Sequence, residues 1–164
     1  MFIWEIGGFV SPFFGNKQQK QNTIIGDSWI VAQGKYNGKD IIVRVNAYYK
    51  KFKHKDDYKY QVGIATPLTS AEANGLPSAQ ENLQLQEIEE IIVSDLEQNE
   101  KSLFCAAIST NNMKEFIFYT IDPEFVQQRF EHIIGEIQSH KMQISVKVDK
   151  PWDVYDWVLS MIKQ

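Results

Sequence analysis

The stretch LFCAAISTNNMKEFIFYTI, residues 103–121, decides the fold. Leu103 to Thr110 and Lys114 to Ile121 are two strand-prone runs on either side of Asn111-Asn112. Asparagine is one of the few residues besides glycine that tolerates left-handed backbone, so the pair predicts a hairpin turn. Cys105 stands inside the apolar run Phe104-Cys105-Ala106-Ala107, where a thiol acts as a small buried hydrophobe rather than a nucleophile.

Helical patterns flank this hairpin. Upstream, Asn74-Gly75-Leu76-Pro77 closes a loop, and Ser78 with Glu81 makes the S-x-x-E capping box, each side chain satisfying an orphan backbone donor. Leu85, Ile88, Ile91, Ile92 and Leu96 then share one stripe at helical spacing, with Glu87, Glu89, Glu90 and Glu97 off it. Downstream, Asp122 as N-cap and Pro123 in the first turn open a second helix, whose buried face is Val126, Phe130, Ile133, Ile134 and Ile137. Met142 to Val148 alternates as a last strand, and a short helix from Pro151 carries Trp152, Tyr155, Val158, Leu159 and Ile162 on one face.

Nearer the N-terminus, Trp29 to Ala32 and Ile41 to Asn46 are strands joined by a turn at Asn37-Gly38. Period-two geometry puts Ile41, Val43 and Val45 on one face and Ile42, Arg44 and Asn46 on the other. Tyr58 to Ala65 is a third strand, with Tyr58, Tyr60, Val62 and Ile64 together. The order is β-β-β-α-β-β-α-β-α. Few connections are long, so strands adjoining in sequence are expected to pair antiparallel, with the helices gathered on one face: an α+β layered sandwich. The expected division is an aromatic segment and polar linker over residues 1–26, then a single α+β domain over 27–164.

The chain of 164 residues is 43% hydrophobic and 23% charged, a globular mix long enough to bury a sizeable core. One cysteine excludes an internal disulfide framework and any multi-cysteine zinc site. No apolar run approaches the ~20 residues of a spanning helix, and Glu5 and Gly7-Gly8 interrupt any signal-peptide core. A reducing, cytoplasmic setting and no stable membrane insertion are expected. The net charge of −4 argues against a generic nucleic-acid binder. Its distribution is uneven, with +5 over residues 1–66 and −9 over 67–164.

The blocks Trp29…Gly38-Lys39…Val43-Arg44-Val45-Asn46, Gly75-Leu76-Pro77…Glu81…Leu85…Ile88-Glu89, Glu115-Phe116…Phe118-Tyr119 and Pro151-Trp152…Tyr155 stand in one order over about residues 27–164. In this the chain resembles the bacterial family called domain of unknown function 695. That resemblance implies no established activity. Some similar chains are joined to a domain resembling a regulator of ribonuclease E, which implies a regulatory setting. The family usually has Asp before the Pro-Trp pair, where this chain has Lys150; Asp149 is the residue left to cap the last helix.

No motif fixes a chemistry. There is no G-x-S-x-G and no phosphate loop. His54, His132 and His140 have no metal-ligand spacing, and Asp153 with Asp156 is an ordinary solvated helix pair. Two constellations remain. Lys50, Lys51, Lys53 and Lys55, interleaved with Tyr48, Tyr49 and Phe52, could neutralise phosphates while the rings stack on bases, or could protect a sheet edge. Arg44 and Asn46 lie on a strand that otherwise belongs to the core, so Arg44 needs a partner, for which Glu115 is the candidate, or solvent. The pair could also line a pocket for an anionic ligand. The expectation is a non-enzymatic binding or regulatory module without catalytic residues, metal or cofactor, whose partner is another protein. The alternatives are a small hydrolase or transferase with a pocket around Arg44, Asn46 and Glu115, or an RNA-binding or ribonuclease-regulating protein using the lysines. Residues 1–14 are the candidate contact of a homo-oligomer.

Overall fold

The hairpin of residues 102–120 sits at the middle of the sheet. In the computed structural model, which describes residues 5–7 and 23–162, seven strands run in chain order: β1 (Glu5–Gly7), β2 (Trp29–Tyr36), β3 (Lys39–Asn46), β4 (Tyr60–Pro67), β5 (Ser102–Thr110), β6 (Met113–Thr120) and β7 (Gln143–Val148). The helices are α1 (Ala79–Leu96), α2 (Pro123–Glu136) and α3 (Asp153–Ser160). Two short 3-10 turns, Ala47–Lys51 and Gln98–Glu100, complete the elements. Most of the aromatic segment and linker expected over residues 1–26 lies outside the described residues, as does most of the 1–14 candidate contact.

The strand order is β1-β2-β3-β5-β6-β4-β7, and every pairing is antiparallel. An α+β fold with an antiparallel sheet is therefore the architecture. Both tight turns hold two consecutive left-handed residues: Asn37-Gly38 at φ 49° and 76°, Asn111-Asn112 at 49° and 63°, as two-residue hairpins require. The expectation that sequence neighbours pair fails around β4: β3 and β4, β4 and β5, and β6 and β7 are not neighbours in the sheet. β4 does not join β3; the chain crosses from β3 through residues 47–59, and β4 pairs with β6 and β7.

A second expectation, helices on one face, is also corrected. α1 and α2 do share a face, packing Leu85, Ile88, Ile92, Leu96, Val126, Phe130 and Ile133 on Val62, Ile64, Phe104, Phe116 and Phe118. α3 lies on the opposite face, where Tyr155, Val158 and Leu159 pack on Val43, Val45, Leu103, Cys105, Ile117 and Tyr119. The reason is in β5, buried on both sides from Ser102 to Ser109, which needs a cover on each. Tyr58 belongs to the α3 side, not with Val62 and Ile64. Ile91 and Ile134 lie at the margins of their helices' stripes, exposed.

The two layers are offset. The core under α1 and α2 takes its strand residues chiefly from β5, β6, β4 and β7. The core under α3 takes them from β2, β3, β5 and β6. Each face therefore leaves one half of the sheet without a helix.

Asp149 ties α3 down. Its Oδ1 accepts from the Asp153 N–H at 2.9 Å, and its Oδ2 from Val154 N–H at 3.0 Å and the Tyr119 hydroxyl at 2.6 Å. Burial would raise this carboxyl, but the bond from Tyr119 and the two backbone donors hold it below the usual carboxylate range. Trp152 stacks on Tyr119 at 3.9 Å between centroids and donates its indole N–H to the Tyr58 carbonyl. These contacts hold Trp152 at φ 62°, a conformation that costs roughly 1–3 kcal/mol. Asp149 thus caps α3 where Lys150 cannot. Asp149→Ala is expected to lower unfolding free energy in urea by roughly 2–4 kcal/mol, and Lys150→Ala by less than about 0.5. Because the folded carboxyl is depressed, its contribution is complete above the unfolded value and fades as pH falls through the folded one. The gap between wild type and Asp149→Ala should therefore shrink in acid.

Candidate functional site

The uncovered half-sheet on the α1 side is a cleft of about 550 Å³. It forms because β3 presents Ile42, Arg44 and Asn46 to this face, and none of the three joins the apolar core beneath α1 and α2. Trp29, Val31, Arg44 and Phe104 line one side, and Glu89, Val93, Ser94 and Glu97 the other. The sheet supplies aromatic rings and the helix supplies carboxyl groups.

Arg44 pairs with Glu89 of α1, not with Glu115. Sheet register explains the correction. Arg44 pairs with Ala107, and Ala107 with Phe116, so Glu115 is one residue out of line and points to the other face. Arg44 lies over the Trp29 ring at 4.8 Å from guanidinium carbon to centroid, with the Phe104 ring at 5.7 Å. The rings hold the guanidinium flat while Glu89 neutralises it. Lys114, from β6 on the same face, comes near this pair, and burial and the Arg44 charge push its ammonium down to about 8 against the pull of Glu89.

Asn46 lines the cleft, but its side chain is occupied by backbone. Its Oδ1 accepts from Ser28 N–H at 3.0 Å and Tyr48 N–H at 3.2 Å, and its Nδ2 donates to the Gly26 carbonyl at 2.8 Å. It shapes the rim. A Cβ on Gly26 would fall 1.9 Å from the Tyr48 ring, so the loop ahead of β2 lies close against this turn only because residue 26 is glycine.

Glu97, the C-cap of α1, accepts from the Phe104 N–H at 2.9 Å. Burial, against that bond and aided by the charge of Asp27, pushes its carboxyl up to about 7. In the sequence Glu97 reads only as a charge off the apolar stripe. Its place after the last apolar residue of the helix was the available signal.

The other expected residues lie elsewhere. Glu115 is on the α3 side, in the half-sheet that α3 leaves open, where a Cβ on Gly63 would come 2.7 Å from its Oε1 and 3.1 Å from Ser145 Oγ. Burial raises it, with Lys147 opposing. Lys50, Lys51 and Lys53 are exposed on the crossover between β3 and β4 and do not line the cleft. Lys55 folds inward over Trp152 and Tyr155, each at 5.3 Å. Arg44 and Asn46 therefore share a site that the lysines and Glu115 do not enter.

Glu81 and His140 form a buried polar pair outside the cleft. Glu81 does not return to its own cap as the capping box predicts. Ser78 Oγ does accept the Glu81 N–H at 3.1 Å, but the Glu81 carboxylate accepts from the Thr69 hydroxyl, Thr69 N–H, Ser70 N–H and His140. It ties the loop before α1 to the α2–β7 connection. Among the described residues no group of three or more His, Cys, Asp or Glu side chains is placed to hold a metal ion, and no helix is long and apolar enough to cross a membrane.

The model of a family of unknown function, DUF695, matches residues 27–159, and the chain belongs to that family. No curated protein and no solved structure matches it.

The raised Glu97 carboxyl has a signed consequence. Between about 4.5 and 7 the folded protein keeps a proton that the unfolded chain releases, so stability falls as pH rises through that window. Glu97→Gln removes the charge while keeping an acceptor for Phe104. Denaturation at pH 5 should show the variant close to wild type, and at pH 8 more stable, by an amount on the order of 1–3 kcal/mol. Parallel pH profiles would contradict the burial of this carboxyl.

Proposed function

We propose that this member of the family is a bacterial, cytoplasmic binding module whose ligand is a small organic molecule held in the Arg44 cleft. One observation carries the reading: a concavity of about 550 Å³ whose wall combines apolar side chains, Trp29, Val31 and Val93 among them, with fixed polar groups. Ligand sites are typically of this size and makeup, with a few polar groups set in mostly apolar walls. Trp29, half-buried and packed on Phe104 with centroids 4.9 Å apart, offers apolar contact together with Val31 and Val93. The Arg44–Glu89 pair, braced on those rings, is a preset polar group rather than a mobile surface charge.

Binding, rather than turnover, is the simplest use of these groups. The titrating residues of the cleft are not assembled as a nucleophile with an adjacent base: Glu97 is bonded to backbone, and Arg44 to Glu89. The lysines of the crossover remain a separate basic surface on which a second partner could dock without touching the cleft.

Ligand-observed NMR with a library of small aromatic fragments tests the reading. Hits are expected for the full chain and should vanish for Ser94→Trp, which plugs the cleft from an exposed helix position. Circular dichroism would verify that the variant is folded. Hits that survive the plug, or a library without hits, would sink the reading.

A further inference from the structure

The charge of the cleft selects among ligands. Four carboxyl groups line it, Asp27, Glu89, Glu90 and Glu97, against one guanidinium, that of Arg44. Glu89 already neutralises Arg44. Among the described residues Asp27, Glu90 and Glu97 form no salt bridge. Lys114, near Arg44 and Glu89, does not line the cleft, and the carboxyl groups of Asp27, Glu90 and Glu97 leave its lining with net negative charge.

The helix adds to it. α1 is 18 residues long, carries five acidic and no basic residues, and has no basic side chain in its last turn. Its C-terminal end, at Val93, Ser94 and Glu97, borders the cleft. The negative end of a helix dipole favours a cation, and here no side chain of the helix supplies one.

On these grounds, and resting on the ligand-binding reading above, we propose that the cleft takes an organic cation: an amine whose ammonium is drawn to the acidic wall of Glu90 and Glu97 while its apolar part lies against Trp29, Val31 and Val93. A bare metal ion fits less well, since the described carboxyl groups do not converge as a metal site. An anion would meet the carboxyl groups with Arg44 already taken.

Three probes of one shape separate the possibilities: phenethylamine, 2-phenylethanol and 3-phenylpropionate, titrated by calorimetry into the full chain at pH 7.5. The amine is expected to bind at least about tenfold more tightly than the alcohol, and the acid more weakly still. Glu90→Gln with Glu97→Gln should bring the amine to the alcohol's affinity and leave the alcohol unchanged. If the alcohol or the acid matches the amine and Ser94→Trp abolishes all binding, the ligand-binding reading stands and the cation inference falls. If none of the probes binds in a way that Ser94→Trp removes, both fall.

Discussion

Seven strands make a sheet wider than three helices can cover, and the positions of those helices decide what is left open. β5 sits in the middle and is apolar on both sides, so each face must be capped there. α1 and α2 cover it from one side and extend toward β4 and β7; α3 covers it from the other and extends toward β2 and β3. The offset exposes opposite halves of opposite faces. Arg44 and Glu115 are then assigned to different surfaces by a single residue of strand parity, because side chains alternate across a sheet.

Holding that offset requires more than apolar contact. On the α3 side, Asp149, Tyr119, Trp152 and Tyr155 form one connected group: Tyr119 bonds Asp149 and accepts from the Tyr155 N–H, and the Tyr155 hydroxyl reaches the Asn46 carbonyl at 2.8 Å. Asn46 in turn organises the rim of the cleft on the other face. The two surfaces are thus joined through the end of β3. On the helix side, Arg129 bonds Asp95 and so links α2 to α1, while Glu81 and His140 secure the N-terminal end of α1. α1 is held at both ends, and it forms the acidic wall.

Local chemistry made much of this legible in the sequence. Asn37-Gly38 and Asn111-Asn112 mark their turns because few residues accept positive φ, and Asp122-Pro123 marks a helix start because capping is a contact between near neighbours. Asp149 as the cap of α3 followed from the same logic. What failed was non-local. Nothing in Tyr58 to Ala65 says that this strand pairs with β6 rather than β3, because antiparallel patterning is the same for any partner. Glu115 was paired with Arg44 on charge alone, and the register that separates them depends on three strands. Glu81 satisfied the motif of a capping box, yet Thr69, Ser70 and His140 became its donors when the fold brought them near. Arg44 and Asn46 stand out in the sequence as anomalies on a core strand; the cleft beside them depends on where α1 lies across the sheet, which no local pattern records.

A double-mutant cycle on Arg44 and Glu89 tests the central claim most directly, with Arg44 and Glu115 as its control. If the open half of β3 faces α1 as described, urea unfolding of the alanine variants should give a coupling of roughly 1–2 kcal/mol for Arg44 with Glu89, and none beyond about 0.5 for Arg44 with Glu115. Coupling to Glu115 instead, or its absence with Glu89, would mean that the strand faces, and with them the cleft, are wrongly assigned.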